Sequence, residues 1–124
     1  MNARDPNLPL QADENDDIAA FAARTWDDEI VPALVDYIAI PAKSPMFDAD
    51  WERHGLIERV VRDAAAWVER KNVAGLKLEI VRLPGRTPVI FFEVPSTRPG
   101  STDTVCMYGH LDKQPEFNGW RSDL

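Results

Sequence analysis

Histidine, cysteine and positive charge are all in short supply in this sequence. Two histidines and one cysteine stand among 124 residues, and 14 lysines and arginines face 21 carboxylates, for a net charge of −7. One cysteine excludes an internal disulfide. Cys106 lies in an apolar run and reads as a core residue rather than a thiol nucleophile or metal ligand. No stretch approaches the roughly 18 apolar residues of a membrane span, and the start lacks a cationic and then apolar signal pattern. The expected setting is therefore cytoplasmic, with no membrane partner. Without a basic stripe, nucleic acid is not expected as a partner either. Glycine numbers only six, and Pro84-Gly85-Arg86-Thr87-Pro88 lacks the strand-to-helix setting of a phosphate loop. Apolar residues are plentiful. At 44% they can supply the core of one small domain.

Residues 1–17, with Pro6, Pro9, Asp13, Glu14, Asp16 and Asp17, have the composition of a flexible acidic leader. Ile18 to Ile40 reads as helix. Ile30, Leu34, Val35 and Ile38 form its apolar stripe, and Pro32 is expected to kink it or open a new first turn capped by Asp27 or Asp28. A loop follows from Ala42 to Asp50. The second helix is expected from Trp51 to Asn72, capped by Asp48 or Asp50, with a stripe of Ile57, Val60, Val61, Ala64, Trp67 and Val68. His54 near its start reads as a surface or partly packed side chain, and Trp26, Trp51 and Trp67 as packing residues. Beyond Gly75 the period changes. Leu76–Arg82 alternates apolar and polar, Val89–Val94 is a second strand, and the Pro-Gly turn between them predicts an antiparallel hairpin. The apolar run Asp103–Met107 predicts a third, interior strand.

That run leads into Tyr108-Gly109-His110-Leu111-Asp112-Lys113-Gln114-Pro115, the stretch with most chemical content. Positions two apart on an extended segment project to the same side, so His110 and Asp112 are expected to share a face. A neutral imidazole ligates divalent metals through one nitrogen, and a carboxylate on the other N–H sets its tautomer and orientation. His110 is thus a candidate metal ligand and Asp112 its partner. A surface histidine beside a turn aspartate fits the same spacing.

The wider string, from Val105 through Gly109-His110-Leu111-Asp112, Gln114-Pro115 and Gly119-Trp120, resembles the first metal-ligand segment of the carnosinase-like dinuclear zinc peptidases. That superfamily also holds glutamate carboxypeptidases, acetylornithine deacetylases and succinyl-diaminopimelate desuccinylases. Trp26-Asp27 through Ile40-Pro41 and Ser44-Pro45 is similar to the family's opening helix and following loop. Lys113 departs from the pattern, which often has an apolar residue there. The resemblance implies that His110 ligates one of two zinc ions and that Asp112 is the active-site residue steering it. It implies an α/β fold: residues 18–124 would be the N-terminal portion of a zinc-peptidase-like catalytic domain, two helices followed by a hairpin and an interior strand.

On this reading the domain is incomplete. The remaining ligands and the general-base glutamate are expected past Leu124, and the chain alone is expected to be inactive and to fold poorly by itself. The implied activity is hydrolysis of dipeptides or C-terminal residues. Two zinc ions, roughly 3.5–4 Å apart, would polarise the scissile carbonyl. The substrate is a small peptide or an N-acyl amino acid, and the resemblance also implies a homodimer formed through a domain absent here. An N-acyl amino-acid deacylase of the same superfamily and a non-catalytic α/β binding or scaffold domain are the competing expectations.

Overall fold

Pro32 sits inside a helical pattern, and the chain accommodates it by widening one turn. In this computed structural model, which describes residues 12–123, α1 (Ala12–Thr25) runs through a π-helical turn (Trp26–Ile30) into α2 (Val31–Ala39). The Val31 N–H reaches back five residues to the Trp26 carbonyl. A proline ring collides with the carbonyl four residues before it and offers no N–H, so a wider turn just upstream relieves the crowding without ending the helix. The expected new start capped by Asp27 or Asp28 is therefore not seen. The chain is already helical at Ala12, the first described residue, rather than from near Ile18. Residues 1–11 of the expected leader lie outside the described residues.

The described chain divides into two compact units: residues 12–39 with Arg98–Ser101, and Ile40–Thr97 with residues 102–123. In the first, the expected stripe is largely uncovered. Leu34, Val35 and Ile38 are 39%, 61% and 66% exposed, and Trp26, expected to pack, is 52% exposed. Residues 12–39 also carry eight carboxylates against one arginine, while residues 40–124 carry twelve against twelve. The whole of the net charge therefore belongs to this helical stretch, and like charge opposes its association with a second copy of itself.

The second unit is built on a broken helix. α3 (Trp51–His54) stops at Gly55, whose φ of +69° no L side chain adopts cheaply, and α4 (Leu56–Arg70) restarts from it. The single helix expected over 51–72 is thus two, because the Gly55 N–H closes the first on the Trp51 carbonyl. α4 buries Ile57, Val60, Val61 and Ala65. Ile57, Val60 and Val61 are buried as expected, Ala65 is buried in place of Ala64, and Ala64, Trp67 and Val68 are half-buried. Ile40 and Ala42, from the loop before α3, complete the buried apolar set among the described residues. Burying each larger aliphatic side chain contributes about 1.5–3 kcal/mol.

The hairpin follows the sequence pattern closely. β1 (Lys77–Val81) pairs antiparallel with β2 (Val89–Glu93), Lys77 opposite Glu93 and Val81 opposite Val89. Between them the Arg86 N–H donates to the Leu83 carbonyl at 3.1 Å, with Gly85 at φ +67°. This is the type II geometry that Pro-Gly favours at its centre. Arg82, just past β1, grips Glu58 of α4 at 2.6 and 3.3 Å, and Arg62 holds the same carboxylate at 2.7 Å. Those two guanidinium groups, Arg82 first, hold the Glu58 carboxyl below its usual range.

The interior strand expected at 103–107 is absent from the described structure, where the sheet has two strands. A β-prone run becomes a strand only on a ladder, and residues 103–107 take part in no strand among the described residues. Val105 and Met107 are almost fully exposed, and Cys106, expected in the core, is exposed as well. Two outcomes follow. Gly55→Ala has open space for its methyl group but keeps the positive φ, so it should cost about 1–2 kcal/mol, read as a lowered urea midpoint. Cys106 should react completely with Ellman's reagent in native buffer. Protection until denaturant is added would mean that another part of the protein covers this segment.

Candidate functional site

The segment carrying His110 is held by the loop that precedes α3. Residues 40–44 turn tightly, with the Ala42 N–H on the Ile40 carbonyl at 2.8 Å and the Lys43 N–H on the Pro41 carbonyl at 2.9 Å. The buried side chains of Ile40 and Ala42 fix this loop in the core. Lys113 then pairs with it in a parallel bridge opposite Lys43. The Lys113 N–H donates to the Ala42 carbonyl and the Lys113 carbonyl accepts from the Ser44 N–H, both at 2.9 Å. The Lys113 ammonium donates to the Ile40 carbonyl at 2.6 Å, and its partial burial lowers its pKa. Beside it, Lys43 pairs with Glu116 at 3.3 Å.

The structure brings His110 and Asp112 together. His110 Nδ1 lies 3.1 Å from the Asp112 carboxylate and 3.1 Å from the Asp112 backbone carbonyl. A carboxylate and a carbonyl only accept, so Nδ1 must carry the proton. A neutral ring then keeps its lone pair on Nε2. This is the tautomer of a histidine whose far nitrogen is a ligand. The His110 side chain is 69% exposed and that of Asp112 34%, so the pair is accessible.

One oriented imidazole suits one position of a zinc site, but such a site takes at least three protein ligands. No group of three His, Cys, Asp or Glu side chains converges among the described residues. They offer one oriented imidazole rather than a coordination sphere. No protein-family model matches this chain, and no curated protein matches it. No helix among the described residues is long and apolar enough to cross a membrane.

Two features of this region escaped the sequence reading. Lys113 registered only as a departure from a pattern, since nothing in its spacing shows a backbone bridge to residues seventy positions away. His54 is more than a surface histidine. Its Nδ1 sits 2.8 Å from Asp48, whose other oxygen accepts the Asp50 N–H at 3.1 Å. The six-residue separation across a loop hides this pairing from any helical or strand period. Of the two expected caps, Asp50 stands at the N-cap of α3 but makes no side-chain capping bond and pairs with Arg53 at 2.8 Å, while Asp48 bonds the N–H of Asp50. A hollow of about 220 Å³ lined by Gly55, Glu58, Arg59, Arg62 and Asp63 includes neither His110 nor Asp112, and both its arginines pair with carboxylates in its own wall.

The hydrogen bond from His54, helped by its charge and that of Arg53, outweighs desolvation and holds the Asp48 carboxyl below its usual range. A depressed carboxyl contributes stability that is full above the ordinary aspartate value, about 3.9, and is lost as pH falls through the lower folded value. Asp48→Asn should therefore lower the urea midpoint at pH 6 and shrink the difference between pH 6 and pH 2.5. An unchanged difference would show that the pair does not hold the loop.

Proposed function

We propose that this chain is the N-terminal part of the catalytic domain of a zinc-dependent amidohydrolase. In this reading it is a dinuclear peptidase acting on dipeptides or C-terminal residues, with His110 as a metal ligand and Asp112 as the residue that orients it. The observation that supports this most directly is the double acceptor at Nδ1, carboxylate and carbonyl together, which leaves Nε2 to accept a metal. When bound, zinc supplies Lewis-acid polarisation of the scissile carbonyl and activation of water. The contribution of the described residues is to present one ligand in a set tautomer. The remaining ligands and the proton-shuttling glutamate belong, in this reading, to sequence beyond Leu124, as do the strand neighbours that residues 103–107 need to join a sheet. The same segment serves an N-acyl amino-acid deacylase equally well, so the substrate is proposed as an amide of a small amino acid.

Zinc content and hydrolysis of a dipeptide panel, measured on the product of the complete gene, decide between catalyst and scaffold. Wild type should hold stoichiometric zinc. Asp112→Asn should weaken zinc binding roughly 10- to 100-fold, and His110→Ala should abolish hydrolysis. A wild-type protein with no stoichiometric metal and no amidase activity would make this a non-catalytic α/β binding domain.

A further inference from the structure

The peptide unit joining Asp112 to Lys113 makes two hydrogen bonds in opposite directions. Its carbonyl accepts from His110 Nδ1 and its N–H donates to the Ala42 carbonyl. The peptide is trans, so these two groups point oppositely and turn together. Rotating the unit away from Ala42 swings the Asp112 carbonyl away from the ring. The next carbonyl, that of Lys113, is held by the Ser44 N–H, and the Lys113 side chain reaches back to the Ile40 carbonyl. Three bonds from a single residue thus fasten the segment to a loop whose Ile40 and Ala42 are buried.

We propose that Lys113 is a positioning residue for His110: its ammonium, latched on the Ile40 carbonyl, holds the Asp112–Lys113 peptide in the orientation that keeps the proton on Nδ1 and the lone pair on Nε2. The ammonium bond is the part of this clamp that depends on side-chain identity, because any residue supplies the two backbone bonds. An apolar residue at 113 would leave the Ile40 carbonyl without this donor and leave the peptide held by its backbone alone. The imidazole would then exchange between tautomers, with its Nε2 protonated for part of the time and unable to ligate. Only the zinc arm of this proposal rests on the metallohydrolase reading. The tautomer itself is a property of these residues.

The test compares wild type with Lys113→Met, which keeps the apolar stem and removes the donor, and with Lys113→Arg, which restores one. Long-range ¹H–¹⁵N correlation on protein labelled with ¹⁵N-histidine reads the tautomer, with His110→Gln for assignment. The His54 signals serve as an internal control for folding. Wild type should show His110 protonated at Nδ1 alone. Lys113→Met should give a mixture with His54 unchanged, and Lys113→Arg should restore the single form. In parallel, Zn²⁺ affinity of the complete gene product, measured by chelator competition, should fall roughly 10-fold in Lys113→Met and recover in Lys113→Arg. If His54 is also disturbed in Lys113→Met, Lys113→Gln, with a neutral donor, takes its place, and an intermediate mixture is expected. A single Nδ1-protonated form in both Lys113→Met and Lys113→Gln overturns the proposal. Absence of zinc binding in wild type, with the tautomer mixture still seen in the variants, overturns the hydrolase reading and leaves the positioning role standing.

Discussion

A short parallel pairing between residue 113 and residues 42–44 governs where the chemistry-bearing segment of this protein lies. From residue 101 to residue 112 the chain takes part in neither helix nor strand. Such a stretch has no helical or sheet ladder to set against the entropy of ordering its backbone, on the order of 1–2 kcal/mol per residue. At Lys113 two backbone bonds and one ammonium bond fasten it to a loop whose Ile40 and Ala42 are buried. The backbone half of the contact with His110 depends on that anchor. The carbonyl that shares its Nδ1 proton belongs to the same peptide unit as the anchored N–H.

The two histidines of the chain are treated alike. Each presents Nδ1 to an aspartate, His54 to Asp48 at 2.8 Å and His110 to Asp112 at 3.1 Å. Their surroundings separate them. Asp48 is largely covered and also accepts the Asp50 N–H, so the first pair closes a loop onto the start of α3. The second pair is more open and includes a backbone carbonyl as well as a carboxylate, which suits presenting a nitrogen rather than tying down a loop. The loop between residues 40 and 48 joins the two regions, since Ser44 bonds both Lys113 and the backbone of Asp48.

The distribution of apolar surface is a second constraint. α4 sits on a buried stripe and carries most of the core, whereas α2, nearly all apolar in sequence, buries nothing fully. A helix hydrophobic on most sides is ordinarily a covered helix. The same holds for residues 105–108, where Val105, Met107 and Tyr108 are almost wholly exposed. The helical spacing of the first stretch marked an apolar stripe, and the apolar run 103–107 marked an interior strand, but both are patterns of the residues' own hydrophobicity. Burial also needs a covering surface, which a residue's own hydrophobicity does not provide.

What the residues determined by themselves were the features set by neighbours close in the chain. The alternation Leu76–Arg82, the Pro84-Gly85 turn and the second apolar run were enough for the antiparallel hairpin. The 3.6-residue recurrence of Ile57, Val60 and Val61 was enough for the buried face of α4. The i, i+2 spacing was enough to put Asp112 beside His110. Other features were decided by tertiary structure. Gly55 splits a helix because its positive φ is taken up where two segments meet. Pro32 widens a turn instead of ending one. Residues 103–107 form no strand because a ladder partner has to come from elsewhere. Lys113 becomes an anchor only because the fold carries residues 40–44 alongside it, and local spacing holds no record of a hydrogen bond made across seventy residues.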